Sequence, residues 1–142
     1  MLYDDYISGF VERDEHGDFT GELSIEGINL SPITGVYFKQ DGVTYLWIRR
    51  CKVVEYDFDT ATYSRRDASP KFEAYLRKSV DGNTVSFKGE FMFLRFRFSI
   101  SGVWDAVLGK DRRQRLNLFV ERLPINEQRI LNKINERLTY DK

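Results

Sequence analysis

The sequence predicts a mainly β protein: an antiparallel β-barrel or sandwich of about eight or nine strands with one C-terminal α-helix packed on it. Three observations carry that prediction. Alanine, which long helices use freely, occurs only four times in 142 residues, at positions 61, 68, 74 and 106. Eleven Phe, eight Tyr and two Trp, together with many β-branched residues, suit strands. Apolar and polar residues alternate with a period of two along most of the chain, and the one clear helical spacing lies in 123–139.

The elements follow in order. A first strand is predicted from Tyr6 to Glu12, closed by the polar run Arg13-Asp14-Glu15-His16-Gly17-Asp18. Phe19, Gly21, Leu23 and Ile25 then alternate with Thr20, Glu22, Ser24 and Glu26, as in a half-buried antiparallel strand. Gly27 to Pro32 interrupts the alternation and Ile33 to Gln40 resumes it. Asp41-Gly42 supplies a hairpin turn, since both residues tolerate positive φ. Val43 to Phe58 predicts one long strand. Val43, Tyr45, Trp47, Cys51 and Val53 share one face, with Leu46, Ile48, Val54, Tyr56 and Phe58 on the other. Two apolar faces predict a central strand between two packed layers. Asp59 to Thr62 turns the chain back through Tyr63.

Ser69 to Val80 fits two patterns. Ser69 as N-cap, Pro70 at the first helical position and apolar residues at helical spacing would make a short helix. Phe72, Ala74 and Leu76 alternating with Glu73, Tyr75 and Arg77 make a strand, which the following Asp81-Gly82-Asn83 turn favours. In Thr84 to Ile100 the apolar parity changes. Val85 and Phe87 take one face, whereas Met92, Leu94, Phe96, Phe98 and Ile100 take the other, predicting a bulge or sharp bend near Gly89. Val103 to Leu108 is short and apolar, Lys110 to Arg115 is a polar loop, and Leu116, Leu118 and Val120 mark a last strand. Pro124 introduces the helix, Asn126 caps it, and Ile130, Leu131, Ile134 and Leu138 form its apolar stripe. The length predicts a single domain over 1–142, with a β-sheet body to residue 122 and the helix over 123–139.

Lys plus Arg number 22 and Asp plus Glu number 22, a zero balance that argues against a wholesale polyanion binder. The zero is a cancellation. Residues 1–30 hold eight acids and one base, for −7, whereas 31–142 hold 14 acids and 21 bases, for +7. Either the acidic N-terminal hairpin packs beside the basic strands and neutralises them, which is favoured, or the basic part offers a face to an acidic partner.

Within that basic part, Arg49, Arg50 and Lys52 stand beside Trp47. Arg95 and Arg97 share a face that continues to Phe93 and Phe91, and Arg112 and Arg113 lie in the basic loop. Arginine beside exposed rings is the residue chemistry of interfaces. The expected function is therefore a non-catalytic binding module that engages a protein partner or another copy of itself, through Trp47, Arg49, Arg95, Arg97, Trp104, Arg112 and Arg113. Single-stranded nucleic acid bound by an OB-like barrel is the alternative, because guanidinium suits phosphate and ring faces suit bases. A small-ligand-binding barrel is a further alternative. In the terminal helix Arg129, Lys133 and Arg137 repeat every four residues, and their long stems fit the edge of a helix–sheet seam.

Catalytic and metal patterns are sparse. One Cys and one His cannot make a tetrahedral zinc set, and His16 sits in an acid- and Gly-rich turn. Cys51 is expected as a neutral strand residue. No phosphate-binding Gly-rich loop or nucleophile elbow is present, so no catalytic residue, cofactor or metal is expected. Gly102-Val103-Trp104 is the Gly-x-Trp triplet that small-ligand calycin barrels carry on their first strand. Here it comes near the other end of the chain and assigns no family. The opening MLYDDYISGF lacks a secretory-signal pattern, and the lone cysteine suits a reducing compartment. A cytoplasmic location with no membrane association is expected.

Overall fold

The structure, a computed structural model, describes residues 7–105, 114–125 and 133–135. Eleven strands are seen among them: β1 (Gly9–Arg13), β2 (Phe19–Ile25), β3 (Ile28–Asn29), β4 (Ile33–Gln40), β5 (Val43–Arg50), β6 (Val53–Asp57), β7 (Thr62–Arg66), β8 (Glu73–Asp81), β9 (Thr84–Phe93), β10 (Phe96–Trp104) and β11 (Arg115–Arg122). Eight of them close an antiparallel barrel in the order β1-β2-β4-β5-β8-β9-β10-β11, with β11 returning to β1. The remaining three lie outside it: β3 extends β2, and β6 and β7 form a separate two-stranded sheet. Residues 133–135 are helical, within the span 123–139 where a C-terminal helix is expected; 123–125 have no regular structure, and the other residues of that span lie outside the described ones.

Tight turns set the meander. Glu26-Gly27, Asp41-Gly42 and Leu94-Arg95 each place two consecutive residues at positive φ, the geometry whose twist matches paired strands. Strand alternation then aims one set of side chains at the barrel axis. Val11, Leu23, Ile33, Leu46, Ile48, Leu76, Phe87, Phe98, Ile100, Leu116 and Leu118 are buried there. Toward one end the rings of Phe19, Tyr37, Phe87 and Trp104 form a continuous series of contacts. Toward the other, Phe72, Phe91, Phe98 and Phe93 do the same. The barrel axis is thus occupied by the protein's own side chains.

Arg50 fixes that second end. Its Nε donates to the Leu30 carbonyl at 3.1 Å and its Nη1 to the Pro70 carbonyl at 2.9 Å, joining the segments before β4 and before β8. Beside it the Cys51 N–H donates to the Pro32 carbonyl at 2.9 Å.

The acidic N-terminal strands close against the basic C-terminal one. Glu12 on β1 pairs with Arg115 at 3.3 Å. Glu26, after β2, receives both Nε and Nη2 of Arg122, with the Nε contact at 2.7 Å. The two oppositely charged regions of the chain therefore meet along the seam that shuts the barrel. Arg115 and Arg122 also lie over the rings of Phe10 and Phe96, each at 3.9 Å.

Four expectations need correction. Val43 to Phe58 is not one strand between two layers. β5 ends at Arg50, Cys51 and Lys52 have no regular structure, and β6 leaves the barrel, so Val54, Tyr56 and Phe58 are exposed. Cys51 is accordingly a half-buried link residue, not a strand residue. Nor does a bulge at Gly89 explain the change of apolar parity. The β9–β10 ladder runs unbroken through Ile100↔Gly89, and the parity changes because Leu94 and Arg95 form a two-residue turn between paired strands. Phe91 and Phe93 are buried and Met92 is 61% exposed, so the former two do not flank Arg95 and Arg97 on the outer face. Glycine is required at 89 for a different reason: a Cβ there would collide with the Tyr75 carbonyl oxygen of the neighbouring strand.

Candidate functional site

With Leu46 and Ile48 of β5 and Ala74 and Leu76 of β8 facing inward, the alternate residues must face out. Across β4, β5 and β8 the outward rows are Val36↔Trp47↔Tyr75, Phe38↔Tyr45↔Arg77 and Thr34↔Arg49↔Glu73. Trp47 and Tyr75 stack with planes 3° apart, Phe38 and Tyr45 stack with centroids 5.3 Å apart, and Phe38 meets Tyr75 edge-on. Four rings thus form an aromatic strip on the outside of a barrel whose inside is already filled.

Charge frames the strip. The Arg49 guanidinium lies 4.3 Å from the Trp47 ring centre, a cation–π geometry. The Tyr75 hydroxyl donates to Glu73 Oε1 at 3.0 Å. That hydrogen bond, followed by desolvation and by the Glu73 charge, raises the Tyr75 pKa above 10.0, with Arg49 acting in the opposite sense. At the far end Arg77 stands directly opposite Lys88 of β9. The Trp47 Nε1–H is shielded from solvent and has no acceptor.

Beside the strip lies an open cleft of about 220 Å³, lined by Trp47, Arg49, Lys52, Asp67, Lys71 and Glu73, with Phe72 and Arg50 behind them. Lys71 pairs with Asp67 at 3.7 Å, Glu73 is engaged by Tyr75, and Arg50 is held by two carbonyls. Arg49 and Lys52 form no ion pair among the described residues. The cleft is smaller than a typical small-molecule pocket and suits one side chain or one anionic group. Among the described residues no group of three or more His, Cys, Asp or Glu could hold a metal ion, and no helix is long and apolar enough to cross a membrane.

The residues singled out from the sequence do not converge on one place. Trp47 and Arg49 are in the strip. Arg95 sits in the β9–β10 turn at φ 73°, and Arg97 follows it on β10, ion-paired with Glu90 and opposite Met92. Trp104 packs against the core cluster, its ring 6.2 Å from Phe87. Arg112 and Arg113 lie outside the described residues. His16 belongs to a turn in which the Asp14 carboxylate accepts the His16 and Asp18 N–H groups. The sequence reading missed Phe38, Tyr45 and Tyr75 as members of the site. The signal was present for two of them: Tyr45 shares the Trp47 parity, and Tyr75 shares that of Glu73 and Arg77.

Compared with protein-family models, curated proteins and solved structures, the chain has no match.

Proposed function

We propose that this protein is a non-catalytic interaction module that binds a protein partner through the outer face of β4, β5 and β8. The observation that carries this is the strip of Phe38, Tyr45, Trp47 and Tyr75, with Arg49 over Trp47, on the outside of a barrel packed by its own side chains. A sheet face turned to water ordinarily carries polar residues, and clustered rings with arginine are the composition of interface centres. The filled axis argues against a small-ligand barrel.

A second possibility is favoured by one observation, the placing of Arg49, Lys52 and Lys71 around the Trp47 end of the cleft. Single-stranded nucleic acid would use the ring for stacking and the cations for phosphate. The deciding experiment compares wild type with Trp47→Ala and Arg49→Glu. Affinity capture should retain a defined set of proteins on wild type that both variants lose. Fluorescence anisotropy with mixed oligonucleotides at low salt should show no binding at tens of micromolar. Salt-sensitive oligonucleotide binding lost in both variants would replace the protein-partner proposal with the nucleic-acid one.

A further inference from the structure

The cleft beside the aromatic strip holds more positive charge than its own acids balance. Four cations line it, Arg49, Arg50, Lys52 and Lys71, against two acids, Asp67 and Glu73, for a net of +2. Lys71 is paired with Asp67, and Arg49 stands opposite Glu73 in the β5–β8 ladder. Arg50 and Lys52 have no acid partner among the described residues. The Leu30 and Pro70 carbonyls accept hydrogen bonds from Arg50 but carry no net charge, and its Nη2 has no acceptor among the described residues. Arg50 is half-buried, where charge is screened less than at an open surface, so the imbalance favours an anion in the cleft.

The backbone holds the cleft open. The Arg50 N–H donates to the Phe72 carbonyl at 3.3 Å and its Nη1 to that of Pro70, so the end of β5 and the segment entering β8 form two fixed walls. Phe72 is buried against Phe91 behind them. A guanidinium already placed in this way binds without the cost of being ordered. At about 220 Å³ the cleft is too small for a free-standing drug-sized ligand. It has room for one phosphoryl group and part of the side chain that carries it.

We infer that this cleft takes the phosphoryl group of a phosphorylated side chain on the protein partner. This rests on the strip being the binding face proposed above, and names what that face selects. Two features choose a phosphate monoester. Charge is the first. A monoester carries about −1.5 to −2 at pH 7, which matches the cleft, whereas a carboxylate or a nucleic-acid diester carries about −1. Donor chemistry is the second. Guanidinium is a planar fork suited to phosphate oxygens, and Lys52 and Lys71 add point charges. Trp47 gives the chain that carries the group an apolar wall.

Nuclear magnetic resonance titration of the isotope-labelled full chain tests this, with phenyl phosphate, its methyl diester and benzoate as probes at about 0.15 M salt. Phenyl phosphate should shift the Arg50 Nε–H and the Lys71 and Phe72 amides saturably. The diester and benzoate should bind at least about tenfold more weakly. Lys52→Glu brings the cleft to neutrality and should weaken phenyl phosphate at least about tenfold. Lys39→Glu makes the same change of charge six residue steps along β4 from Ile33, the partner of Arg50. That is roughly 20 Å, beyond the screening length, so binding should stay within about twofold of wild type. Both lysines are exposed. In affinity capture, the proteins that wild type retains and Trp47→Ala loses should also be lost when the lysate is first treated with phosphatase.

Phenyl phosphate that does not bind, benzoate that binds as tightly, equal effects of Lys52→Glu and Lys39→Glu, or capture that survives phosphatase would each overturn the inference. A diester bound as tightly would overturn it in favour of nucleic acid. In each of these cases the binding-face proposal is still decided separately, by whether Trp47→Ala and Arg49→Glu lose captured proteins. If neither variant loses any, that proposal falls and this inference falls with it.

Discussion

The indole of Trp47 and the phenol of Tyr75 stack across the β5–β8 ladder with ring centres 5.9 Å apart and planes 3° from parallel. The neighbour of Trp47 in the chain, Leu46, is wholly buried on the barrel axis opposite Leu76. One residue step therefore separates core from surface. Leu46→Ala should cost about 2–5 kcal/mol, the range for emptying a core site. Trp47→Ala should cost less than that, because the half-buried ring gives up its stack on Tyr75, worth about 0.5–1.5 kcal/mol, and only part of a full side-chain burial. Urea unfolding of both variants checks the register, and equal losses would contradict it.

The Leu94-Arg95 turn carries strain that its sequence does not relieve. Both residues adopt positive φ, at 48° and 73°, a region that costs a side-chain-bearing residue about 1–2 kcal/mol. Leu94→Asn with Arg95→Gly supplies the residues this turn prefers and should raise stability by about 1 kcal/mol. Were these positions mid-strand, the same pair would lower stability. The sign of the change in thermal midpoint separates the two.

That turn also explains where the sequence misled. Asp41-Gly42 and Gly82-Asn83 announce their hairpins, and Phe19–Ile25 and Ile33–Gln40 coincide with β2 and β4 because alternation and turn chemistry agree there. Leu94-Arg95 lacks a turn residue, so its parity change read as a bend at Gly89. In Val43 to Phe58 the alternation persists beyond Arg50, although the chain has left the barrel. Periodicity reports which residues share a face but not what covers that face. For the same reason Trp104 and Trp47 look alike in sequence, while one packs on the core and the other lies outside. The charge division along the chain was legible, and its meeting at Glu12–Arg115 and Glu26–Arg122 follows from the first strand pairing with the last.

Those seam pairs are partly exposed and should be individually modest. Arg122→Glu leaves Glu26 facing a like charge. Glu26→Arg added to it should recover about 0.5–1 kcal/mol at low salt, with most of the recovery gone in molar salt. A double-mutant cycle by urea unfolding at two salt concentrations measures the coupling.

Tyr37 makes stability depend on alkaline pH. Burial raises its pKa above 10.0, with Arg13 acting in the opposite sense. A folded-state value above the unfolded one means that the unfolded chain loses this proton first. The associated stability is complete below the unfolded value of 10.0 and is lost as pH rises through the folded one. Between about pH 8 and pH 11 the wild type should lose more stability than Tyr37→Phe, which has no proton to lose. Urea midpoints across that range test the difference.

Arg49 and Arg50 are adjacent and should behave in opposite ways. Arg50 is half-buried, and its Nε and Nη1 reach the Leu30 and Pro70 carbonyls on two different segments, whereas Arg49 is exposed over Trp47. Arg50→Ala removes two charge-assisted hydrogen bonds and leaves two part-buried carbonyls short of a donor, a loss of about 2–3 kcal/mol. Arg50→Lys should rescue little of it, because one ammonium cannot reproduce the planar fork that spans both acceptors. Arg49→Ala forfeits an exposed cation–π contact worth about 0.5–1 kcal/mol and should leave the unfolding midpoint almost unchanged. Its effect belongs to binding. Capture experiments should therefore lose their partners with Arg49→Ala, at a stability close to wild type.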